Sequence, residues 1–172
     1  MNKIFSKFEP LKDNHLNLPN EPGNYIICLK KGSTIKIEGH KIIFEKYEGL
    51  NVLYTGISKK IRTRDFRQHF IGNNAGSSTL RKSIGVLRGY KLIPRDKGKT
   101  TNGKTKFNET NEIELSEWMT KNLVLFYILN KETNELENEL IEKYNPPLNL
   151  SKNKNTNNKL FREQLSILRN KK

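Results

Sequence analysis

Cysteine is almost absent from this sequence of 172 residues, and its scarcity excludes two kinds of protein. A single thiol, Cys28, cannot build a disulfide framework or a zinc site that uses paired cysteines. Cys28 lies in an apolar stretch, which is typical of a small core residue. Because structural disulfides belong to oxidising compartments, their absence favours a reducing one, and we expect a cytoplasmic protein.

Long hydrophobic runs are missing as well. No apolar stretch reaches the roughly 18 residues that a membrane span needs, and the opening segment, MNKIFSKFEP, lacks the apolar centre of a signal peptide. We therefore expect neither a membrane span nor a secretion signal. With 34% hydrophobic residues and a mean hydropathy of -0.77, the chain is expected to bury one modest core with polar insertions around it.

Acidic residues are too few to balance the basic ones. Lys and Arg number 32 against 18 Asp and Glu, which gives a formal net charge of +14. An excess of this size indicates a polyanionic partner, most often nucleic acid. An anionic membrane surface is the alternative, but the only candidate anchor is one short amphipathic segment near the C-terminus.

The distribution of apolar residues and turn signals predicts an α+β fold. Strands are expected at GNYIICLK (23–30), VLYTGIS (52–58) and LVLFYIL (123–129). Helices are expected between and after them, and the predicted helical segments are 59–70, the stretch after Ser77 or Ser78, the stretch opened by Asn111 and Glu114, 132–144 and 160–169. We predict a small, mainly antiparallel sheet of three or more strands flanked by helices.

The length fits one domain with an extension at each end. We assign residues 1–21 to an N-terminal extension, 22–150 to the domain, and 151–172 to a basic linker with a short C-terminal helix. Two insertions are predicted within the domain, an additional hairpin at about 33–47 and a basic loop at about 94–108.

One acid of the predicted helix 132–144 lies where an acid is unexpected. At about 100° per residue, Glu137 falls within the apolar arc that contains Leu136 and Leu140, whereas the other acids of the helix face water. A carboxylate in an apolar arc requires a partner such as a metal ion, an arginine or a helix N-terminus. The alternative is structural, because Asn134 and Glu137 have capping-box spacing and Glu137 would then cap a helix that begins late.

A cluster of basic side chains follows the predicted strand VLYTGIS, which contains Tyr54. The segment SKKIRTRDFRQHF contains Arg62, Arg64, Arg67 and His69 directly after a Tyr-x-Gly turn. Arginine suits phosphate because its guanidinium donates hydrogen bonds in pairs, so the cluster favours a phosphate-binding role. The alternatives are a solvated helix face for the arginines and a packed or surface position for the histidine.

The first two predicted strands together resemble a known family. GNY (23–25) and YTG (54–56) are similar to the two signature triplets of the GIY-YIG endonucleases. Arg64 follows Tyr54 at the spacing of the family's catalytic arginine, and His69 lies near the position of its next active-site residue.

The resemblance continues along the chain and covers about residues 22–150. ELENELIEKYNPPLN resembles the family's glutamate helix and its asparagine, and the spacing from Glu137 to Asn149 matches the excision-repair branch. The extra residues between the two triplets are accounted for by the predicted hairpin insertion.

The resemblance implies hydrolysis of a DNA phosphodiester with one divalent cation, Mg²⁺ or Mn²⁺. In that interpretation Glu137 anchors the metal and Arg64 clamps the scissile phosphate. Tyr25 is the candidate general base with Tyr54 beside it, while His69 is an alternative proton acceptor through a relay. Asn149 is expected to hold the site together through side-chain hydrogen bonds.

The sequence departs from the family pattern in three places. Asn24 and Thr55 replace the isoleucines of the two triplets, at outer positions of a strand motif. His69 comes one residue later after the arginine than is usual, which a π-bulge in the helix would absorb. In a regular helix, Arg64 and His69 would point apart, and Arg62 would become a rival for the catalytic role.

Other basic residues are expected to grip the DNA backbone, which provides affinity without sequence information. The candidates are Arg62, Arg67, Arg81, Lys82 and Arg88. The chain has no recognisable separate DNA-reading module, which favours a self-contained restriction-like or defence nuclease, and a homodimer is one way for such a nuclease to cut both strands. A structure-specific repair nuclease and a non-catalytic nucleic-acid-binding protein that keeps the fold are the alternatives.

Overall fold

Seven strands, four α-helices, one π-helix and two short 3-10 turns make up the part of the chain that the computed structural model describes, residues 4–72, 74–95 and 104–170. The strands are β1 (Ser6–Phe8), β2 (Gly23–Leu29), β3 (Lys46–Tyr47), β4 (Leu50–Ser58), β5 (Ile93–Pro94), β6 (Thr105–Lys106) and β7 (Leu123–Leu129). The helices are the π-helix (Arg62–Phe70), α1 (Thr79–Leu87), α2 (Glu109–Asn122), α3 (Thr133–Tyr144) and α4 (Lys159–Asn170), and the 3-10 turns are His15–Asn17 and Ala75–Ser77.

The main sheet has the order β1-β7-β2-β4-β3, and every neighbouring pair in it is antiparallel. Its centre consists of β2, β4 and β7, which are the three strands predicted from the apolar runs. β5 and β6 form a separate antiparallel pair. The predicted α+β fold with a mainly antiparallel sheet is therefore confirmed.

Both faces of the sheet are covered, and all residues of β2 are consequently buried. Tyr25 and Ile27 belong to the main core, to which the π-helix, α1, α2 and α4 contribute. Ile26 and Cys28 alternate to the other face and pack with α3 in a smaller cluster. Burial raises the pKa of the Cys28 thiol to about 12, so this residue is the inert core cysteine that the sequence predicts.

Two local predictions differ from the structure in detail. The segment 33–47 has an antiparallel bridge between Ile37 and His40, across a turn at Glu38 and Gly39, but its described strand, β3, pairs onward with β4. The N-cap of helix α2 lies three residues earlier than expected, because Asn108 rather than Asn111 caps the helix and its Oδ1 accepts the Asn111 N–H at 2.8 Å.

Both ends of the chain join the fold. β1, from the segment 1–21, extends the sheet by pairing with β7, and Phe161 and Leu165 of α4 are buried in the main core. The basic loop expected at 94–108 is closed at its ends by the β5–β6 pair, while its residues 96–103 lie outside the described residues. Across the described ranges, no helix has the length and apolar character required to cross a bilayer.

Candidate active site

The two tyrosines of the signature triplets are brought together by the pairing of β2 with β4. Tyr25 lies opposite Gly56 and Ile27 lies opposite Tyr54 in this register. Both phenol rings point to the main core side, where their centroids are 6.2 Å apart. Tyr25 is only 1% exposed, whereas Tyr54 is half-buried.

Gly56 is required at its position by the Tyr25 hydroxyl. A Cβ atom added to Gly56 would lie 2.5 Å from Tyr25 Oη, which is closer than any tolerated contact. The second triplet therefore supplies one tyrosine and, two residues later, the space for the other tyrosine. This contact gives the Tyr-x-Gly spacing a packing reason.

The segment after β4 forms a π-helix from Arg62 to Phe70. Its closing bond from Ile71 N to Phe66 O spans five residues at 3.0 Å, as a π-helix requires. The extra residue per turn compensates for the late position of His69, so that Arg64 and His69 lie close enough for their charges to interact. The predicted π distortion is confirmed, and it extends over the whole helix.

His69 links Tyr25 to the start of α1. Its Nε2 lies 2.9 Å from Tyr25 Oη and its Nδ1 lies 2.7 Å from Ser78 Oγ. Burial, with the positive charges of Arg64 and Arg81, holds the pKa of His69 well below its usual value. The imidazole is therefore neutral, and it donates one of these two hydrogen bonds and accepts the other.

Glu137 lies in the second turn of α3, because the helix begins at Thr133. The capping-box alternative for Asn134 and Glu137 is therefore wrong. The Glu137 side chain is 12% exposed, and its Oε2 accepts from Lys152 Nζ at 2.6 Å. Lys152 reaches the carboxylate from a left-handed backbone conformation, with a φ of 64° that is uncommon for a side chain of this size.

A cavity of about 370 Å³, here called the Glu137 cavity, joins three of the predicted site residues. Tyr54 from β4, Glu137 from α3 and Asn149 from the segment after α3 all line it. Tyr25 and His69 lie behind Tyr54 rather than at the cavity wall, with ring centroids 6.2 Å and 6.4 Å from that of Tyr54.

Asn149 fixes the segment after α3 to β4. Its Oδ1 accepts the Thr55 N–H at 2.9 Å, and its Nδ2 donates to Thr55 O at the same distance. The neighbouring Leu148 N–H donates to Leu53 O at 3.1 Å. The amide thus replaces one strand partner for β4 and holds Tyr54 at a defined distance from α3.

The two rival arginines of the π-helix have different surroundings. Arg62 donates from Nε to Leu18 O and from Nη2 to Leu16 O, both at 2.7 Å, so it anchors the N-terminal segment. Arg64 donates from Nη1 to Gln68 Oε1 at 2.8 Å and to Ser77 O at 3.1 Å. Arg64 is therefore the better candidate for a phosphate contact, although it does not line the Glu137 cavity.

The expected DNA contacts separate into buried and accessible residues. Arg81 is fully buried and paired with Glu112, so its assignment to the DNA interface was wrong. The Arg62 guanidinium already donates hydrogen bonds to two backbone carbonyls of the N-terminal segment. Arg67 and Arg88 are exposed, although the Arg88 guanidinium also lies over the rings of Tyr90 and Trp118. Lys82 is half-buried and lines the Glu137 cavity.

The donor set at the cavity fits one kind of divalent cation. Within the described ranges, no three His, Cys, Asp or Glu side chains group closely enough to hold a metal ion, unlike a closed zinc site. Glu137 instead offers a single carboxylate at the wall of the cavity. Mg²⁺ and Mn²⁺ prefer oxygen ligands, and Mg²⁺ keeps several waters while binding one or two carboxylates and substrate phosphates.

Sequence reasoning missed two cations of this cavity, Lys152 and Arg169. Arg169 had a usable signal, because it follows the apolar Leu165 by four residues in a helix and therefore shares its face. Lys152 had none, since it lies in a low-complexity stretch and reaches Glu137 through a local backbone conformation.

Comparison with known families agrees with this geometry. The family model of the GIY-YIG catalytic domain matches residues 23–171, which begins at the first signature triplet and includes most of the chain. No curated protein and no solved structure matches the chain. The protein therefore belongs to the family of the GIY-YIG catalytic domain, a family of nucleases.

Proposed function

We propose that this protein is an endonuclease that hydrolyses phosphodiester bonds in DNA with Mg²⁺ or Mn²⁺ as its cofactor. The observation that carries the proposal is the cavity in which Tyr54, Glu137 and Asn149 meet from three separate parts of the chain. The net charge of +14 supports a polyanionic substrate.

Tyr54 is the phenol that an attacking water can reach, because it lines the cavity while Tyr25 is buried behind it. The general-base function expected for Tyr25 therefore passes to Tyr54. Tyr25 and His69 pack against the Tyr54 ring and fix its direction, and Ser78 fixes the imidazole in turn. The guanidinium of Arg169 lies close enough to Tyr54 for the two groups to interact electrostatically.

Glu137 would hold the cation. When bound, the cation supplies positive charge that stabilises the phosphate and the leaving 3′-oxygen. Lys152 Nζ already contacts Glu137 Oε2, so it shares or leaves this carboxylate when a metal ion binds.

Arg64 is assigned to the scissile phosphate. Among its described contacts only Nη1 donates to the protein, to Gln68 and Ser77, which leaves its other N–H groups for phosphate oxygens. Asn149 keeps the Tyr54 strand and the Glu137 helix in register, and it acts as a positioning residue.

Incubation of the full chain with supercoiled plasmid and Mg²⁺ or Mn²⁺ tests the proposal. The wild type is expected to nick or linearise the plasmid and to leave ends that sequencing can map. Glu137→Gln is expected to lose this activity while it keeps its melting temperature and its DNA binding. Equal cleavage by both proteins would contradict the assignment of the site.

Binding of DNA without cleavage by the wild type, under all metal conditions, would instead support a non-catalytic DNA-binding protein. Linear product after a single encounter would favour a homodimer, which light scattering checks directly. Ends that map to one sequence would support restriction-like cleavage, and ends that map to branched or damaged DNA would support a repair nuclease.

A further inference from the structure

Helix α4 brings a cation to the wall of the candidate active site. Phe161 and Leu165 are buried in the main core, so the helix has a fixed position against α1. Its last turn places Arg169 in the same cavity as Tyr54 and Glu137. The C-terminal helix is thus a wall of this cavity.

Lys82 of α1 lies beside Arg169. Both residues line the Glu137 cavity, and both also line a second cavity of about 270 Å³ between the start of α1 and β6. Burial lowers the pKa of Lys82, and the positive charge of Arg169 lowers it further. Two partly buried cations therefore repel each other at the boundary between the two cavities.

The described carboxylates of the protein do not pair with either of these charges. In residues 4–72, 74–95 and 104–170, neither Lys82 nor Arg169 forms an ion pair with a carboxylate. Arg169 Nε is buried and has no hydrogen-bond partner within the same ranges. A cation in the last turn of a helix is ordinarily explained by the helix dipole, but the dipole does not give the buried N–H an acceptor.

Glu137 shares the cavity, but its described ion pair is with Lys152 and not with Lys82 or Arg169. An anion between Lys82 and Arg169 would accept from the guanidinium and remove the repulsion between the two cations. A phosphate diester fits both demands, since its oxygens accept from a guanidinium and from an ammonium at the same time.

We propose that Lys82 and Arg169 form a binding site for a second backbone phosphate of the DNA strand, next to the phosphate that is cut. The proposal deepens the proposed function and depends on it for the identity of the anion. The site would set the position of the strand relative to Tyr54 and Glu137, and it makes the C-terminal helix part of the substrate-binding surface.

Salt-dependent DNA binding tests the proposal. In a Glu137→Gln background, binding of a fluorescent duplex is measured at several salt concentrations by anisotropy. Each phosphate contact contributes about 0.9 to the slope of log K against log salt. We expect Arg169→Gln and Lys82→Gln each to weaken binding by about tenfold at low salt and to reduce the slope by about 1.

Lys143→Gln is the matched control, because it removes the same charge from an exposed site on α3 that lines a different cavity. It is expected to keep the slope. Arg169→Lys keeps the charge and is expected to restore most of the slope, which a purely structural role of Arg169 would not predict. Melting temperatures identify any variant that fails to fold. If Arg169→Gln fails to fold, Lys82→Gln tests the same site independently.

A second experiment locates the bound phosphate along the strand. It uses duplexes in which a single phosphate is replaced by an uncharged methylphosphonate, at successive positions. Protein with both cations is expected to lose about tenfold in affinity at one position, and the double variant Lys82→Gln/Arg169→Gln is expected to be insensitive there. Unchanged slopes in both single variants, or equal sensitivity of the double variant at every position, would overturn the proposal. A wild type that binds DNA in this pattern but cuts nothing would contradict the nuclease activity and leave the phosphate site standing.

Discussion

Two ion pairs with nearly the same geometry have opposite surroundings in this protein. Arg81 and Glu112 are joined at 2.7 Å, and their side chains are 0% and 3% exposed. Lys152 and Glu137 are joined at 2.6 Å, but their side chains are 48% and 12% exposed. The distance alone therefore does not distinguish a structural pair from a pair at a functional site.

The remaining contacts do distinguish them. Glu112 Oε1 accepts from the backbone N–H groups of Ala75 and Phe107, and Arg81 also donates to the carbonyls of His69 and Phe70. This network ties the end of the π-helix to α1 and α2. Glu137 is held by one flexible lysine at the wall of a cavity, so its carboxylate is available to another cation.

The largest expected effect comes from breaking the buried pair. Arg81→Met leaves Glu112 as a buried carboxylate without its cation, which costs about 3–5 kcal/mol in the free energy of unfolding. Urea denaturation measures it. Arg67→Met, the same change at an exposed position of the π-helix, is expected to cost less than about 0.5 kcal/mol. A small effect of Arg81→Met would contradict the distinction between the two pairs.

The pH dependence of stability sharpens the comparison of the two ion pairs. His69 belongs to the buried network, because Arg81 donates a hydrogen bond to its backbone carbonyl. Burial and the charges of Arg64 and Arg81 lower its pKa in the folded state from the usual 6.5. Well above pH 6.5 the imidazole is neutral in both states and the effect is absent. As pH falls below 6.5, the unfolded state binds the proton first, so stability declines by at most about 1.4 kcal/mol per pH unit.

The measurement is the free energy of unfolding of the wild type and of His69→Gln between pH 7.5 and pH 5, values chosen to bracket the usual pKa. The wild type is expected to lose stability more steeply than the variant, since the other titrating groups are common to both. Parallel curves for the two proteins would show that His69 does not titrate differently on unfolding.

The smallest expected effect concerns the accessible pair. Lys152→Gln is expected to change stability by less than about 1 kcal/mol, because partly exposed ion pairs contribute little. Without the competing ammonium, Mn²⁺ should bind up to about fivefold more tightly. Titration of free Mn²⁺ by electron paramagnetic resonance, without DNA, measures this, and Lys143→Gln is the control. Weaker Mn²⁺ binding by Lys152→Gln would mean that Lys152 supports the metal site.

Local patterns predicted the elements that carry the site. The apolar runs located β2, β4 and β7, and helical periodicity distinguished Glu137 from the other acids of α3. The late position of His69, relative to the spacing in the family that the sequence resembles, predicted the π distortion, because this geometry returns Arg64 and His69 to neighbouring positions. These predictions succeeded since each depends on residues that are close in sequence.

Contacts between residues that are distant in sequence could not be predicted from local patterns. Arg81 has the composition of a DNA contact, but Glu112 from another helix buries it. We propose different roles for Tyr25 and Tyr54 because only Tyr54 lines the cavity, whose wall also includes α3 and the segment after it. In the predicted hairpin at 33–47, the described pairing across the turn is one bridge between Ile37 and His40, because β3 at the end of the segment pairs with β4 instead.

The central claim is that Tyr54 and Glu137 meet at the reacting phosphate, and the single-turnover cleavage rate of Tyr54→Phe tests it most directly. The change removes one oxygen atom from the cavity, and Tyr127→Phe on β7 is the matched control. A cleavage rate at least about 100-fold below that of wild type, with DNA binding and melting temperature retained, is the predicted result. Cleavage at the wild-type rate would contradict the account.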